Sequence, residues 1–206
     1  RTFIMHLAVG TSFAIIIPTS LVSVLTHNKH NSVDFNVLKT YGLFVICGVI
    51  LGTLIAAMAQ TKSLVLFFSI IVYCLGAYLL NMSDKINKLK SNFNLLPRII
   101  FGILSGLISA TMGIGGAIMN VPILRYFGYP INKAIGSAAS VGFVISIFGA
   151  IGFLISGSFL KANLPLSIGF INIPAFLIFI PITTFMARIG ARTVHKIDKN
   201  KISKLF

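Results

Sequence analysis

Ser109-Ala110-Thr111-Met112-Gly113-Ile114-Gly115-Gly116-Ala117 lies within a run of 26 uncharged residues, 99–124. A straight bilayer span needs roughly 20 apolar residues, so this run is longer than one crossing requires. Three glycines within four positions remove side chains and admit backbone angles closed to other residues. A helix interrupted there exposes N–H groups that carry partial positive charge at the start of the next half-helix. Such an end attracts small anions without a charged side chain. Asn120 and Pro122 follow, and an asparagine inside a span must find a partner or face a water-filled cavity. Glycines also let helices approach closely, and Gly102, Gly106 and Ala110, spaced by four, form such a stripe. Gly113, Gly115 and Gly116 are spaced differently, which favours a broken helix.

Working outward, five further stretches are free of charge except at their edges: 7–25, 41–58, 63–80, 134–156 and 164–187. Only 10% of the residues are charged, against about a quarter in a soluble domain, so lipid is the main solvent. Runs such as Leu64 to Leu80 do not alternate, which excludes a transmembrane β-barrel. Ala59-Gln60-Thr61-Lys62 leaves room only for a tight helical hairpin between the second and third stretches. The expected fold is an all-α polytopic membrane protein. The net charge of +14 does not indicate nucleic acid, because the basic residues flank spans rather than forming one face with interleaved aromatics. They suit an anionic membrane surface. Cys47 and Cys74 each fall inside a span and suggest neither a disulfide nor a metal site. The opening Arg1-Thr2-Phe3 lacks the layout of a cleavable signal.

A second pattern occurs twice. Ala8-Val9-Gly10-Thr11-Ser12 is echoed by Ala134-Ile135-Gly136-Ser137-Ala138. Helix-breaking or close-packing residues at matching places in two halves point to a transporter's binding site. Laying the halves over each other leaves 99–124 without a counterpart in the first and 63–80 without one in the second. The simplest arrangement is a four-span repeat with one span missing at each end: six visible spans of eight. The Arg1 start and the basic ending Lys201 to Phe206 agree with it. The expected layout is one membrane domain, with a first repeat at 1–80, a linker at 81–97 and a second repeat at 98–206. Four spans per repeat would give both repeats the same orientation. Lys62, Arg125, Lys133, Arg188, Arg192, Lys196, Lys199, Lys201 and Lys204 then collect on one side, assigned to the cytoplasm. Lys29, Lys39, Lys85, Lys88, Lys90, Arg98 and Lys161 collect on the other, with the linker facing outward.

The candidate substrate-binding set is Gly10, Thr11, Ser12, Gly113, Gly115, Gly116, Asn120, Gly136 and Ser137. Each hydroxyl can alternatively bond its own helix one turn back. Pro18 reads as a kink. His6, at the membrane edge, is a candidate gate or pH sensor, and Arg125 and Lys133 form a pathway mouth. His27, His30 and His195 are expected in loops, solvated and without metal-ligand spacing. The only acids are Asp34, Asp84 and Asp198, all in loops. A cation site built on an intramembrane carboxylate is therefore not expected. The same absence disfavours an aspartyl protease, and no histidine at membrane depth adjoins a serine. What remains is a pathway of amides, hydroxyls and helix ends, suited to anions.

These residues resemble the sulfite exporter TauE/SafE family of membrane transporters. The resemblance is carried by His6-Leu7-Ala8-Val9-Gly10-Thr11-Ser12, by Gly102 through Pro122, by Arg125-Tyr126-Phe127-Gly128-Tyr129-Pro130, and by Lys133-Ala134-Ile135-Gly136-Ser137-Ala138-Ala139. It covers essentially the whole chain. It implies about eight spans in two repeats and carriage of sulfite, sulfonates or related small anions across the cytoplasmic membrane. Family members often carry Gly-Thr-Ser in the second copy; here Gly136-Ser137-Ala138 has one hydroxyl fewer. The alternatives are an anion channel or a non-transporting scaffold subunit. The expected partners are a small anion and the lipid bilayer, with no nucleic acid; a homo-oligomer is allowed. No cofactor, metal or enzymatic activity is expected.

Overall fold

A computed structural model describes residues 3–81, 94–160 and 164–197 of the chain. Seven helices account for nearly all of it: α1 Ile4–Lys29, α2 Phe35–Met58, α3 Thr61–Asn81, α4 Leu95–Met112, α5 Ala117–Tyr126, α6 Ile131–Phe159 and α7 Ile173–Lys196. One two-residue-stranded β-hairpin, β1 Ser167–Ile168 and β2 Ile171–Asn172, precedes α7. Five helices (α1, α2, α4, α6 and α7) are long and apolar enough to cross a membrane. In α3 the apolar stretch Thr61–Cys74 is shorter. This is a multi-pass membrane protein. Helices dominate because lipid offers no partner for backbone N–H and C=O groups, so each segment must satisfy them internally.

The connection is as short as expected, with α2 ending at Met58 and α3 starting at Thr61, but the expected tight hairpin does not form: α3 leaves α2 and touches α1 and α4 instead. Of the expected linker, residues 82–93 lie outside the described residues, and Leu95 to Pro97 already belong to the first turn of α4. The terminal Lys201 to Phe206 also lies outside them. Helix α1 continues through Pro18.

Two expected spans are differently built. The 164–187 stretch opens as the β-hairpin, with Leu166 and Gly169 at positive φ, and only from Ile173 does a helix run. Phe170 at its tip is fully buried, against Phe153 of α6 and near Phe3 and His6. The hairpin is thus plugged into the bundle rather than continuing a span.

The 99–124 stretch is likewise not the single crossing expected, being divided between α4 and α5. After the break the chain doubles back, so that α5 lies along α4. Phe127 meets Phe101 with ring centroids 5.8 Å apart, and Ser105 of α4 bonds Asn120 of α5 at 2.8 Å. A run of 26 uncharged residues is long enough for one tilted span, but it also makes a re-entrant hairpin of one long and one short arm. Non-helical backbone at membrane depth is tolerated when it is buried in protein or lines a cavity; here Gly113 and Gly116 are buried and Ile114 and Gly115 half-buried.

The doubling-back changes the charge map. Arg98 begins α4 and Arg125 ends α5, so both lie at one face of the bundle. The Tyr129 phenol in the turn after α5 is pushed up by burial, further by the Asp34 carboxylate, and is pulled down by the Arg98 guanidinium, so it senses both neighbours. Asp34 N–H bonds Ser137 at the start of α6, and His27 near the end of α1 bonds His195 near the end of α7. Lys29, Lys39, Arg98, Arg125, Lys133, Arg188, Arg192 and Lys196 therefore share one face. Among the described Lys and Arg residues only Lys62 lies toward the other. The division that set Lys29, Lys39 and Arg98 against Arg125 and Lys133 does not hold.

Helices α1 and α6 run antiparallel: Phe13 of α1 packs on Phe153 of α6, while the chain just after α1 meets the start of α6. The two Gly-hydroxyl segments therefore point in opposite directions, contrary to a same-orientation arrangement. Helices α2 and α4 pack tightly. A Cβ on Gly48 would overlap the Ile103 carbonyl, and one on Gly106 would overlap the Val45 carbonyl. Gly102 meets Phe44, and Gly52 meets Ala110 and Leu107. Small residues that let backbones approach are the usual basis of helix association in lipid, and the Gly102, Gly106, Ala110 stripe serves it.

Candidate functional site: a broken helix between two Gly-hydroxyl motifs

Helix α4 ends on Gly113, whose φ of +68° is the left-handed conformation that favours glycine. Its N–H and that of Ile114 both donate to the Ser109 carbonyl, at 3.0 and 3.3 Å, the bifurcated finish typical of such caps. Gly116 caps α5 with ordinary right-handed angles. Four residues thus separate two helix ends, a C-terminus at Met112 and an N-terminus at Ala117.

The break is wedged between α1 and α6. Gly113 abuts Val9, and Ser12 Oγ donates to the Gly113 carbonyl at 2.8 Å. A Cβ on Gly116 would come within 2.7 Å of Asn120 Nδ2, 2.8 Å of Ile145 Cδ1 and 3.1 Å of Gly142 Cα. Gly115 has more room, its nearest neighbour being Ile16 at 3.5 Å. The first Gly-hydroxyl motif therefore reaches the break directly. The second does not: the part of α6 at the break is Gly142, and Gly136 and Ser137 lie six and five residues earlier.

Asn120 is fully buried and satisfied by protein rather than by a cavity. Its Nδ2 donates to the Gly116 carbonyl at 2.6 Å, and its Oδ1 accepts from the Tyr41 hydroxyl at 2.6 Å and from Ser105 at 2.8 Å. One amide so ties the start of α5 to α2 and α4. Tyr41 and Ser105 carry no sequence signal of this role; both read as ordinary span residues.

The Gly-hydroxyl motifs do the same thing at two places. A Cβ on Gly10 would overlap the Phe170 carbonyl, and Thr11 Oγ1 accepts the Asn172 N–H at 2.9 Å. A Cβ on Gly136 would overlap the Ser32 carbonyl, and Ser137 Oγ accepts the Asp34 N–H at 2.9 Å. In each case the glycine seats a carbonyl, and the next hydroxyl takes the N–H two residues later. That N–H belongs to the N-cap residue of the following helix, Asn172 for α7 and Asp34 for α2. Each cap side chain accepts from its own helix, Asp34 from Asn36 N–H and Asn172 from Ala175 N–H. Thr11 also bonds its own Leu7 carbonyl at 2.6 Å, so the local and the long-range readings both apply.

His6 is buried rather than placed at an open mouth. Its Nε2 lies 2.8 Å from the Ala56 carbonyl near the end of α2, and its ring packs against Phe3 and Phe170. Arg125 is half-buried and reaches the Tyr129 carbonyl at 3.4 Å across the α5–α6 turn, while Lys133 is exposed. The expectation for His27 and His195 is corrected, whereas His30 lies exposed just past the end of α1, as expected. His27 and His195 lie on α1 and α7, His27 is buried, and the two bond at 2.9 Å, with the His30 ring stacked 4.2 Å from His195. Residues 168 positions apart meet because α1 and α7 run side by side. Ser109 is a further buried hydroxyl beside the break, and its Oγ has no hydrogen-bond partner among the described residues.

The sequence matches the Sulfite exporter TauE/SafE family over residues 2–206. It is 30% identical, along its whole length, to 78% of a probable membrane transporter protein of Haemophilus influenzae. A probable membrane transporter protein of Methanocaldococcus jannaschii shares 28% identity over 93% of this chain and 71% of its own. One from Bacillus subtilis shares 25% over 74% of this chain and 65% of its own. No solved structure matches at a significant level.

Proposed function

Because the chain belongs to the TauE/SafE sulfite exporter family and is a membrane transporter, we propose that its cargo is a small sulfur oxyanion, sulfite or a sulfonate, bound at the Gly113–Gly116 break. The observation that carries this is the break itself, with the unpartnered Ser109 hydroxyl beside it. An anion there meets the N-terminal N–H groups of α5, whose partial positive charge favours it without a neutralising side chain. Thr11 and Ser12 line the adjoining cleft. No described helix carries a carboxylate that would repel the cargo.

The chain is built from two inverted repeats, related by an axis in the membrane plane: α1 and α2 correspond to α6 and α7. The reciprocal seating of Gly10-Thr11 on Phe170 to Asn172, and of Gly136-Ser137 on Ser32 to Asp34, supports this pairing. The basic face is cytoplasmic by the positive-inside rule. Helices rocking about such a symmetric pair would expose the break to each side in turn.

The test is flux in proteoliposomes of full-length protein. Saturable uptake of sulfite or methanesulfonate, with acceleration by the same anion on the far side, marks a carrier of this cargo. Unsaturable flux marks a channel, and no flux of any sulfur oxyanion overturns the assignment.

A further inference from the structure

Helices α1 and α7 run parallel along a seam crossed by hydrogen bonds at three levels. At one end Thr11 accepts from Asn172 N–H at 2.9 Å; midway Thr19 donates to Thr183 at 3.0 Å; at the basic face His27 and His195 meet at 2.9 Å. Between these levels the helices stay in contact and leave open grooves along their line of contact. One cleft of about 610 Å³ is lined by Thr11, Ser12, Ile16, Asn172, Phe179 and Thr183. A second, also about 610 Å³, is lined by Pro18, Thr26, Lys29, Pro181, Thr184 and Arg188.

The two clefts differ in what they offer. The first adjoins the break, since Ser12 bonds the Gly113 carbonyl and Ile16 lies over Gly115. The second ends in two cations, Lys29 and Arg188, neither of which has an ion-pair partner among the described residues. It also holds the buried Thr184 Oγ1, which has no hydrogen-bond partner among the described residues. Pro18 and Pro181 face each other across it. Each lacks the N–H that would close a helical turn, and prolines bend helices in this way.

We propose that the α1–α7 seam is the anion's route between the Gly113–Gly116 break and the cytoplasm. Thr19 and Thr183 form its polar neck, and Lys29 with Arg188 admit and select negative charge at its entrance. This rests on the transport reading above. Cations at a narrow, low-dielectric opening raise the local anion concentration and the on-rate, an effect that salt suppresses. Thr184 offers a hydroxyl donor one turn inside. Arg125 and Lys133 lie at the α5–α6 turn instead and anchor the cytoplasmic face.

The experiment uses full-length protein in proteoliposomes, with flux normalised to inserted protein and the unsubstituted protein measured first. If that protein moves neither sulfite nor methanesulfonate, the transport reading itself fails. Given flux, the Lys29→Gln/Arg188→Gln pair raises the half-saturation concentration about tenfold at 20 mM salt, and far less at 500 mM, as screening requires. The maximal rate changes little. Lys29→Arg/Arg188→Lys, which keeps both charges, restores the half-saturation value, and Arg125→Gln/Lys133→Gln stays within about twofold of the parent. In a Cys47→Ser/Cys74→Ser background, Thr184→Cys reacts with a negatively charged methanethiosulfonate, and methanesulfonate slows that reaction. Unchanged half-saturation in the Lys29/Arg188 pair, or modification of Thr184→Cys that methanesulfonate fails to slow, overturns the route while leaving the transport reading standing.

Discussion

At the residue scale, the three glycines of the break are not equivalent. Gly113 alone has a left-handed backbone, so Gly113→Ala is strained whatever space surrounds it. Gly116 has ordinary angles, but a side chain there collides with Asn120, Ile145 and Gly142. Gly115 would meet only Ile16 at van der Waals distance. Gly116→Val should therefore lower thermal stability in detergent, with an overpacking cost of about 1–3 kcal/mol. Gly115→Ala should leave stability unchanged, so any flux it loses reports on the anion's approach to the backbone. A stable Gly116→Val protein would show that α5 and α6 can separate more easily than their packing implies. Asn120→Leu removes one acceptor and one donor from a fully buried network: the Ser105 hydroxyl loses its acceptor, and the Tyr41 hydroxyl loses its shorter bond while retaining the Phe101 carbonyl at 3.2 Å. A stranded buried group costs about 1–3 kcal/mol, so the melting temperature of Asn120→Leu should fall further than that of Ser105→Ala.

Elements were legible from the sequence to the degree that lipid enforces them. Each of the six apolar stretches carries helix, seven helices in all, because a bilayer admits little else, and the Gly-rich segment broke where Gly113 requires it. The direction of the chain after the break was not legible. A 26-residue uncharged run fits one tilted crossing as well as a re-entrant pair, and Arg98 and Arg125 bracket it alike in either case. That one ambiguity reversed the sorting of the basic residues and the relative orientation of the halves. The β-hairpin before α7 was equally hidden, because Leu164 to Asn172 is as apolar as a span. The geometry sets a direct test. In a background lacking Cys47 and Cys74, Arg98→Cys and Arg125→Cys should both react with a membrane-impermeant thiol reagent added from the same side. Labelling from opposite sides would restore the single-span reading. Long-range pairs such as His27 with His195, Thr19 with Thr183, and Tyr41 with Asn120 gave no sequence signal, since periodicity places residues on faces but does not say which faces meet.

At the scale of the whole molecule, the two Gly-hydroxyl motifs act at opposite faces. Thr11 holds the start of α7 at the face away from the basic residues, and Ser137 holds the start of α2 at the basic face. If the halves exchange between inward-open and outward-open arrangements, each hydrogen bond helps to close one face. Thr11→Val keeps the shape but cannot accept the Asn172 N–H, and Ser137→Ala likewise leaves the Asp34 N–H without its acceptor. The net worth of one such bond is about 1 kcal/mol, which shifts a two-state population by about fivefold. Thr11→Val should then raise the rate at which an engineered cysteine beside the break is labelled from the face opposite the basic residues, and lower it from the basic face. Ser137→Ala should do the reverse, and the double substitution should return the ratio toward that of the parent. Thr11→Ser, which retains the hydroxyl, should behave as the parent. Two single variants that shift labelling in the same direction would mean that the motifs stabilise one rigid bundle rather than opposing a pair of gates. The antiparallel run of α1 and α6 would then be a matter of packing alone.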